Sequence, residues 1–257
     1  MITLDQVKVT NYRKEILKNI TYNLEKGKLY CLIGTNGSGK TTILKAIMGL
    51  CNYEGNIYLH QTNIQQITKK ERAKYISYLP QNRVTPNIDV YSLIAHGRYP
   101  HLGFSKVLTS KDDEKIKYAA EISSVSHLLD REVASLSGGE RQRTYIAMLI
   151  AQDADILLLD EITNYLDIEH QLELLEVLRK LCISGKGIVV VLHDLPQAFS
   201  VADEVLLLSK GEIALAGKPE EIYKDSSICQ NFGISLKKNK GIDEIYKYQL
   251  KRSKRKE

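Results

Sequence analysis

The sequence predicts an α/β protein. A parallel sheet is covered by helices on both faces, with an antiparallel β portion near the N-terminus and a helical insertion in mid-chain. Three observations predict this. Continuous apolar runs at Leu29–Ile33, Ile156–Leu159 and residues 188–192 have the length of strands buried on both faces. Segments of helical pattern separate these runs, and strands alternating with helices imply a parallel sheet. From about residue 82 to 152 the apolar spacing is helical throughout, which marks an insertion.

The elements follow in order. The first thirty residues read as short strands. Ile2 and Leu4 alternate, then Val7 and Val9 alternate one register off, which predicts a bulge. Lys26-Gly27 is a turn before the run Leu29–Ile33. That run ends in a glycine-rich loop followed by a helix over 41–50, and residues 75–79 form another strand. In the insertion, Ile116, Ala119, Ala120, Ile122 and Val125 fall at helical spacing. Beyond it come the strand Ile156–Leu159, a helix over 168–181, the strand 188–192 and a hairpin over 204–216 with Lys210-Gly211 at its turn.

Composition bounds the function. The 257 residues are 43% hydrophobic and 26% charged, ordinary for a globular protein. No stretch reaches about 18 apolar residues, so no membrane span is expected. No secretory signal is visible at the N-terminus, so a cytoplasmic location is expected. Cys31, Cys51, Cys182 and Cys229 are scattered without metal-ligand spacing and read as buried or half-buried thiols. The net charge of +5 resides in the tail: residues 236–257 carry nine Lys/Arg and three Asp/Glu, leaving the body near −1. A body without excess basic charge argues against nucleic-acid binding. The tail could lean on anionic lipid or be a frayed, solvated end.

Residues 34–41 read GTNGSGKT, a full match to the phosphate-loop pattern G-x-x-x-x-G-K-[ST]. A chance match is on the order of one in a hundred for a chain of this length. Gly34, Gly37 and Gly39 let the backbone approach phosphates closely, and the loop N–H groups form an anion nest. The helix that follows adds its positive end. Lys40 places a charge on the β- and γ-phosphates, and the Thr41 hydroxyl can ligate Mg²⁺. The nucleotide-binding set from this segment is Gly34, Asn36, Gly37, Ser38, Gly39, Lys40, Thr41 and Thr42, with ATP and Mg²⁺ as cofactors. The core is thus a P-loop NTPase.

Two further motifs have a direct physical reading. LSGGE at 136–140 opens a helix, with Ser137 as cap and Glu140 three residues on, so the N–H groups of Ser137, Gly138 and Gly139 face outward toward an anion. ILLLDE at 156–161 ends a strand with two carboxylates that point differently. Asp160 is placed to hold the Mg²⁺ shell.

With Gln81 after the strand 75–79 and His193 after the strand 188–192, these motifs resemble, in order and spacing, the ATP-binding cassette (ABC) family from about residue 2 to 217. The resemblance implies an ABC ATPase domain over 1–235, its helical subdomain inserted at about 82–152, with the basic tail 236–257 beyond it. It implies that Glu161 polarises the attacking water and that His193 contacts the γ-phosphate. Gln81 would ligate Mg²⁺ and Tyr12 would stack on adenine. Ser137, Gly138 and Gly139 would meet the nucleotide held by a second copy, so an ATP-dependent homodimer is expected, with Asn164, Leu166 and Asp167 in its contact loop. One departure stands out: Ile162 follows Glu161 where the family usually has proline, which relaxes the backbone at Glu161.

AHGRYPHLGF at 95–104 and HDLPQA at 193–198 resemble the importer ATPases for iron-siderophores, haem and cobalamin, although Pro196 replaces the usual Asn. The resemblance implies integral membrane permease subunits as partners, a separate substrate-binding protein, and a place on the cytoplasmic face of the membrane. The alternatives are another transporter class or a non-transport cassette, such as an iron–sulfur assembly ATPase or a nucleic-acid-associated one.

Overall fold

In a computed structural model of the chain, residues 1–164, 166–238 and 246–250 are described. Strands β1 (Ile2–Asn11) and β2 (Lys14–Leu24) form a hairpin closed by Tyr12 and Arg13, at φ 44° and 67°. Two central residues at positive φ match the twist that a two-residue hairpin requires. These strands are long, not short. The register of β1 slips between Leu4 and Val7, with Gln6 at φ 50°. That bulge resets the alternation, so Ile2, Leu4, Val7 and Val9 all stay buried along one continuous strand.

β3 (Leu29–Ile33) leads through the glycine-rich loop into α1 (Lys40–Ile47). The helix ends three residues before the predicted 50, because Gly49 turns to φ 61°. Then come β4 (Glu54–Leu59), β5 (Thr62–Asn63), the single turn α2 (Lys69–Arg72) and β6 (Ile76–Leu79). Of these, only the last was expected. β4 pairs antiparallel with β1, giving a four-stranded sheet of order β2-β1-β4-β5.

The insertion supplies α3 (Val90–His96), α4 (Ser110–Ile122) and α5 (Gly138–Ala151). Ile116, Ala119 and Ala120 are buried as their spacing predicts. Val125 is also buried, although it lies beyond the helix. The segment that resembles importer ATPases is partly a packing device. A Cβ on Gly97 would sit 2.2 Å from the Met148 carbonyl oxygen, so only glycine lets α3 end against α5. Arg98 is buried; its Nε donates to Asp112 Oδ1 at 2.9 Å and its Nη1 to the Ala151 carbonyl at 2.7 Å. One guanidinium therefore ties α3, α4 and α5 together. Tyr99 and Phe104 of the same segment are exposed.

The chain then returns to the core with β7 (Ile156–Leu159), α6 (Ile168–Ile183) and β8 (Gly187–Val191). Next come α7 (Leu195–Val201), started by the Asp194 cap, and the hairpin β9 (Glu204–Ser209) and β10 (Glu212–Gly217). The main sheet has the order β10-β9-β3-β8-β7-β6, parallel except for the β9–β10 edge. Helices α8 (Pro219–Lys224) and α9 (Ser226–Phe232) follow. The boundary expected at 235 falls inside β11 (Ile234–Lys238), which pairs antiparallel with β12 (Tyr246–Leu250). Residues 239–245 and 251–257 of the predicted basic tail lie outside the described residues.

All of β3, β7 and β8 is buried, and their residues divide between two cores. Cys31, Ile33, Leu157, Leu159, Ile188 and Val190 face the insertion, α6 and α7. Tyr30, Leu32, Ile156, Leu158, Val189 and Val191 face α1 and the N-terminal sheet. This explains why the sequence shows continuous apolar runs rather than alternation. Cys31 and Cys182 are buried and Cys51 is half-buried.

Hydrogen bonds from Thr109, with the Arg98 charge beside it, hold the Asp112 carboxyl down to about 2. A depressed carboxylate contributes stability that is complete above its ordinary value of 3.8 and lost as pH falls through the folded value. Arg98→Met strands that charge and should cost roughly 3–5 kcal/mol at pH 7, the usual scale for breaking a buried pair. Urea unfolding should show this loss, and the gap to the wild type should narrow between pH 4 and pH 2.

Candidate active site

The carboxyl ends of the parallel strands open on a cleft of ≈790 Å³. β3 runs into Gly34 at φ 153°, packed against β9: a Cβ there would lie 2.2 Å from the Leu208 carbonyl oxygen. Asn36, Gly37, Gly39, Lys40, Thr41 and Thr42 line the cleft; Ser38 is buried and, like Gly34, is outside the lining. Gly39 sits at φ 109° as α1 begins, so the free N–H groups of the first turn face the cleft. Lys40 Nζ donates to the carbonyls of Gly34 at 2.8 Å and Thr35 at 3.1 Å. Burial lowers its pKa, opposed by the charges of Glu161 and Asp160.

β7 ends in the two carboxylates. Asp160 is buried, accepting from Thr41 Oγ1 at 3.2 Å and from the Tyr78 hydroxyl at 3.4 Å. Burial raises its pKa and the Glu161 charge adds to the rise, while those two hydrogen bonds oppose it. Glu161 turns to φ 52°, so its side chain leaves in another direction. Ile162 makes this backbone accessible, because a following proline would push Glu161 toward extended conformations. Ile162 itself is buried in the core. Three groups hold the Glu161 carboxylate: Gln81 Nε2 at 2.5 Å and Asn164 Nδ2 at 2.8 Å on Oε2, and His193 Nε2 at 2.7 Å on Oε1.

The donor set suits Mg²⁺. Thr41 Oγ1 and the Asp160 carboxylate are hard oxygen donors side by side. Mg²⁺ typically takes one or two carboxylates and fills its remaining positions with water and substrate phosphate. Among the described residues no cluster of three or more His, Cys, Asp or Glu could cage a metal alone.

Other predicted residues lie elsewhere. Ser137, Gly138 and Gly139 are not in the cleft lining. They open α5, where Glu140 N–H donates to Ser137 Oγ at 3.3 Å and Ser137 N–H to Glu140 Oε2 at 2.9 Å. Tyr12 stands at the hairpin tip, 97% exposed and outside the lining. Lys14 and Ile16, on the adjoining strand, do line the cleft and were missed. Lys14 and Ile16 share a face of β2, but Tyr12 lies in the turn at φ 44°, outside that alternation, so no local signal extended the site to them.

The ABC transporter family profile matches residues 17–164. The chain is 39% identical to the ferric enterobactin transport ATP-binding protein of Escherichia coli (strain K12), over 85% of this chain and 82% of that protein. It is 36% identical to the iron(3+)-hydroxamate import ATP-binding protein of Bacillus subtilis (strain 168), over 91% and 88%. Its fold matches a solved ATP-binding cassette of an ABC transporter in the ADP conformation, with TM-score 0.79 and 20% identity over 90% of this chain and 98% of that one.

The raised pKa of Asp160 means that its ionised form is held at a cost. Such a group favours the fold below its unfolded value and loses that contribution as pH rises through the folded value. Asp160→Asn should therefore raise the melting temperature of the nucleotide-free protein at pH 7. The difference should close as pH falls toward 4; calorimetry across that range checks it.

Proposed function

This chain belongs to the ABC transporter family, and on that premise we propose that it is the ATP-hydrolysing subunit of an importer for iron-siderophore or related iron, haem or cobalamin complexes. The observation that carries the enzymatic reading is the Glu161 carboxylate, held by Gln81, Asn164 and His193 at the edge of a cleft built by the phosphate loop. ATP binds with its phosphates in the loop N–H nest and against Lys40, and Tyr12 stacks on adenine. Bound Mg²⁺, held by Thr41, Gln81 and Asp160, would neutralise charge on the β- and γ-phosphates. Glu161 orients a water in line with the γ-phosphate and accepts its proton. His193 fixes both the carboxylate and the γ-phosphate. Positioning and charge stabilisation do most of the work.

The chain acts as a pair. Ser137, Gly138 and Gly139 stand apart from their own cleft, with helix N-terminal donors facing outward. Each copy completes the site of the other, so two ATP molecules are sandwiched in a symmetric dimer. The importer reading is supported by relatives named as a ferric enterobactin transport ATP-binding protein and an iron(3+)-hydroxamate import ATP-binding protein. Among the described residues no helix is long and apolar enough to cross a membrane. A separate permease would therefore form the pore, with this subunit docked on its cytoplasmic face, and a substrate-binding protein would select the cargo.

Glu161→Gln should keep ATP affinity and lower turnover by roughly 10²–10⁴-fold, the scale of a general base. With MgATP it should also elute as a dimer in size-exclusion chromatography; full turnover in this variant refutes the assignment. Lys40→Ala should weaken ATP binding itself, read by titration calorimetry. In cells under iron limitation, replacing the chain with Glu161→Gln should abolish uptake of one labelled ferric-siderophore, haem or cobalamin. Unchanged uptake of all three would point to another cargo class.

A further inference from the structure

The segment just beyond Gln81 is pinned at both ends. Gln81 Nε2 bonds to the Glu161 carboxylate at 2.5 Å. Two residues on, the Arg83 guanidinium lies over the ring of Tyr145, 4.5 Å from its centroid, and Nη2 donates to Gln142 Oε1 at 2.6 Å. The Tyr145 hydroxyl donates back to the Val84 carbonyl at 3.1 Å, closing the loop. Gln142 is 7% exposed, as is Tyr145, so these contacts are shielded from water, where cation–π and charge-assisted bonds gain strength. Both side chains project from α5 three residues apart, on one face of the helix that Ser137 opens. A single short segment therefore touches the Glu161 carboxylate at one end and the helix carrying Ser137, Gly138 and Gly139 at the other.

We propose that Arg83 is a positioning residue that couples the two nucleotide sites of the dimer, by locking the Gln81 segment to the helix whose N-terminus serves the partner's ATP. This rests on the paired-site reading above. When Gln81 and Glu161 adjust to nucleotide in one cleft, Arg83 carries the displacement to α5 and so to the opposite cleft. The planar guanidinium is needed for this. It stacks on Tyr145 and bonds Gln142 at the same time, which an ammonium on a flexible stem cannot do. Arg83 touches neither the phosphate loop nor the carboxylates, so its loss should leave nucleotide binding by the single chain intact.

The experiment compares wild type, Arg83→Met and Arg83→Lys, with Tyr145→Phe as a variant that keeps the ring and loses only the hydroxyl bond. ATP affinity of the chain at dilutions where it is monomeric, melting temperature and the ATP dependence of hydrolysis are measured for each. The wild type should hydrolyse with a Hill coefficient approaching 2, the number of coupled sites. Arg83→Met should keep monomer affinity within about twofold and lower the Hill coefficient toward 1. Arg83→Lys should rescue it only in part, and Tyr145→Phe should keep most of the cooperativity. Assays run well below each melting temperature, so a destabilised variant is still read as folded protein. Wild-type cooperativity in Arg83→Met overturns the coupling role and leaves the active-site reading standing. Hydrolysis without cooperativity in the wild type overturns the paired-site reading and the coupling role with it, and leaves the active-site assignment to the Glu161→Gln test.

Discussion

Everything functional here depends on three strands that are buried on both faces. β3, β7 and β8 can expose no side chain along their length, so chemistry is confined to where they end. Because they are parallel, those ends share one edge of the sheet. The phosphate loop follows β3, Asp160 and Glu161 follow β7, and His193 lies just past β8. The convergence of residues far apart in sequence is thus a consequence of hydrophobic burial and strand direction.

The same burial sets the electrostatics of the cleft. Lys40 and Asp160 are charged groups withdrawn from water, and each shifts toward its neutral form. Such a site is unfavourable in isolation and favourable once a polyphosphate and a divalent cation supply the missing counter-charges. The Glu161 carboxylate is instead fixed in direction by its contacts with Gln81, Asn164 and His193.

Much of the fold was legible because the central strands are continuous apolar runs and the loop residues are dictated by backbone geometry. Ile156–Leu159 was read to the residue, and the interrupted alternation of Ile2, Leu4, Val7 and Val9 did signal a bulge. The edges were harder. β4 and β5 were missed because 54–63 mixes polar and apolar residues on a half-exposed sheet, where tertiary pairing decides. The phosphate-loop residues and the carboxylates were nameable from sequence, because their chemistry fixes their type. Lys14 and Ile16 were not, since their presence in the cleft depends on how the hairpin lies against α1. Arg98 was read only as part of the segment 95–104 that resembles importer ATPases, and nothing local in the sequence reveals that its partner is Asp112 on the next helix.

The division of the interior into two cores has a mechanical consequence. The buried apolar residues of the insertion belong to the core on one face of the sheet, while those of α1 and the N-terminal strands belong to the core on the other. The sheet therefore stands between the insertion and the helix that follows the phosphate loop. A force on the insertion would reach that helix only through the sheet, whereas the segment after β6 that carries Gln81 leads from the insertion straight to the Glu161 carboxylate.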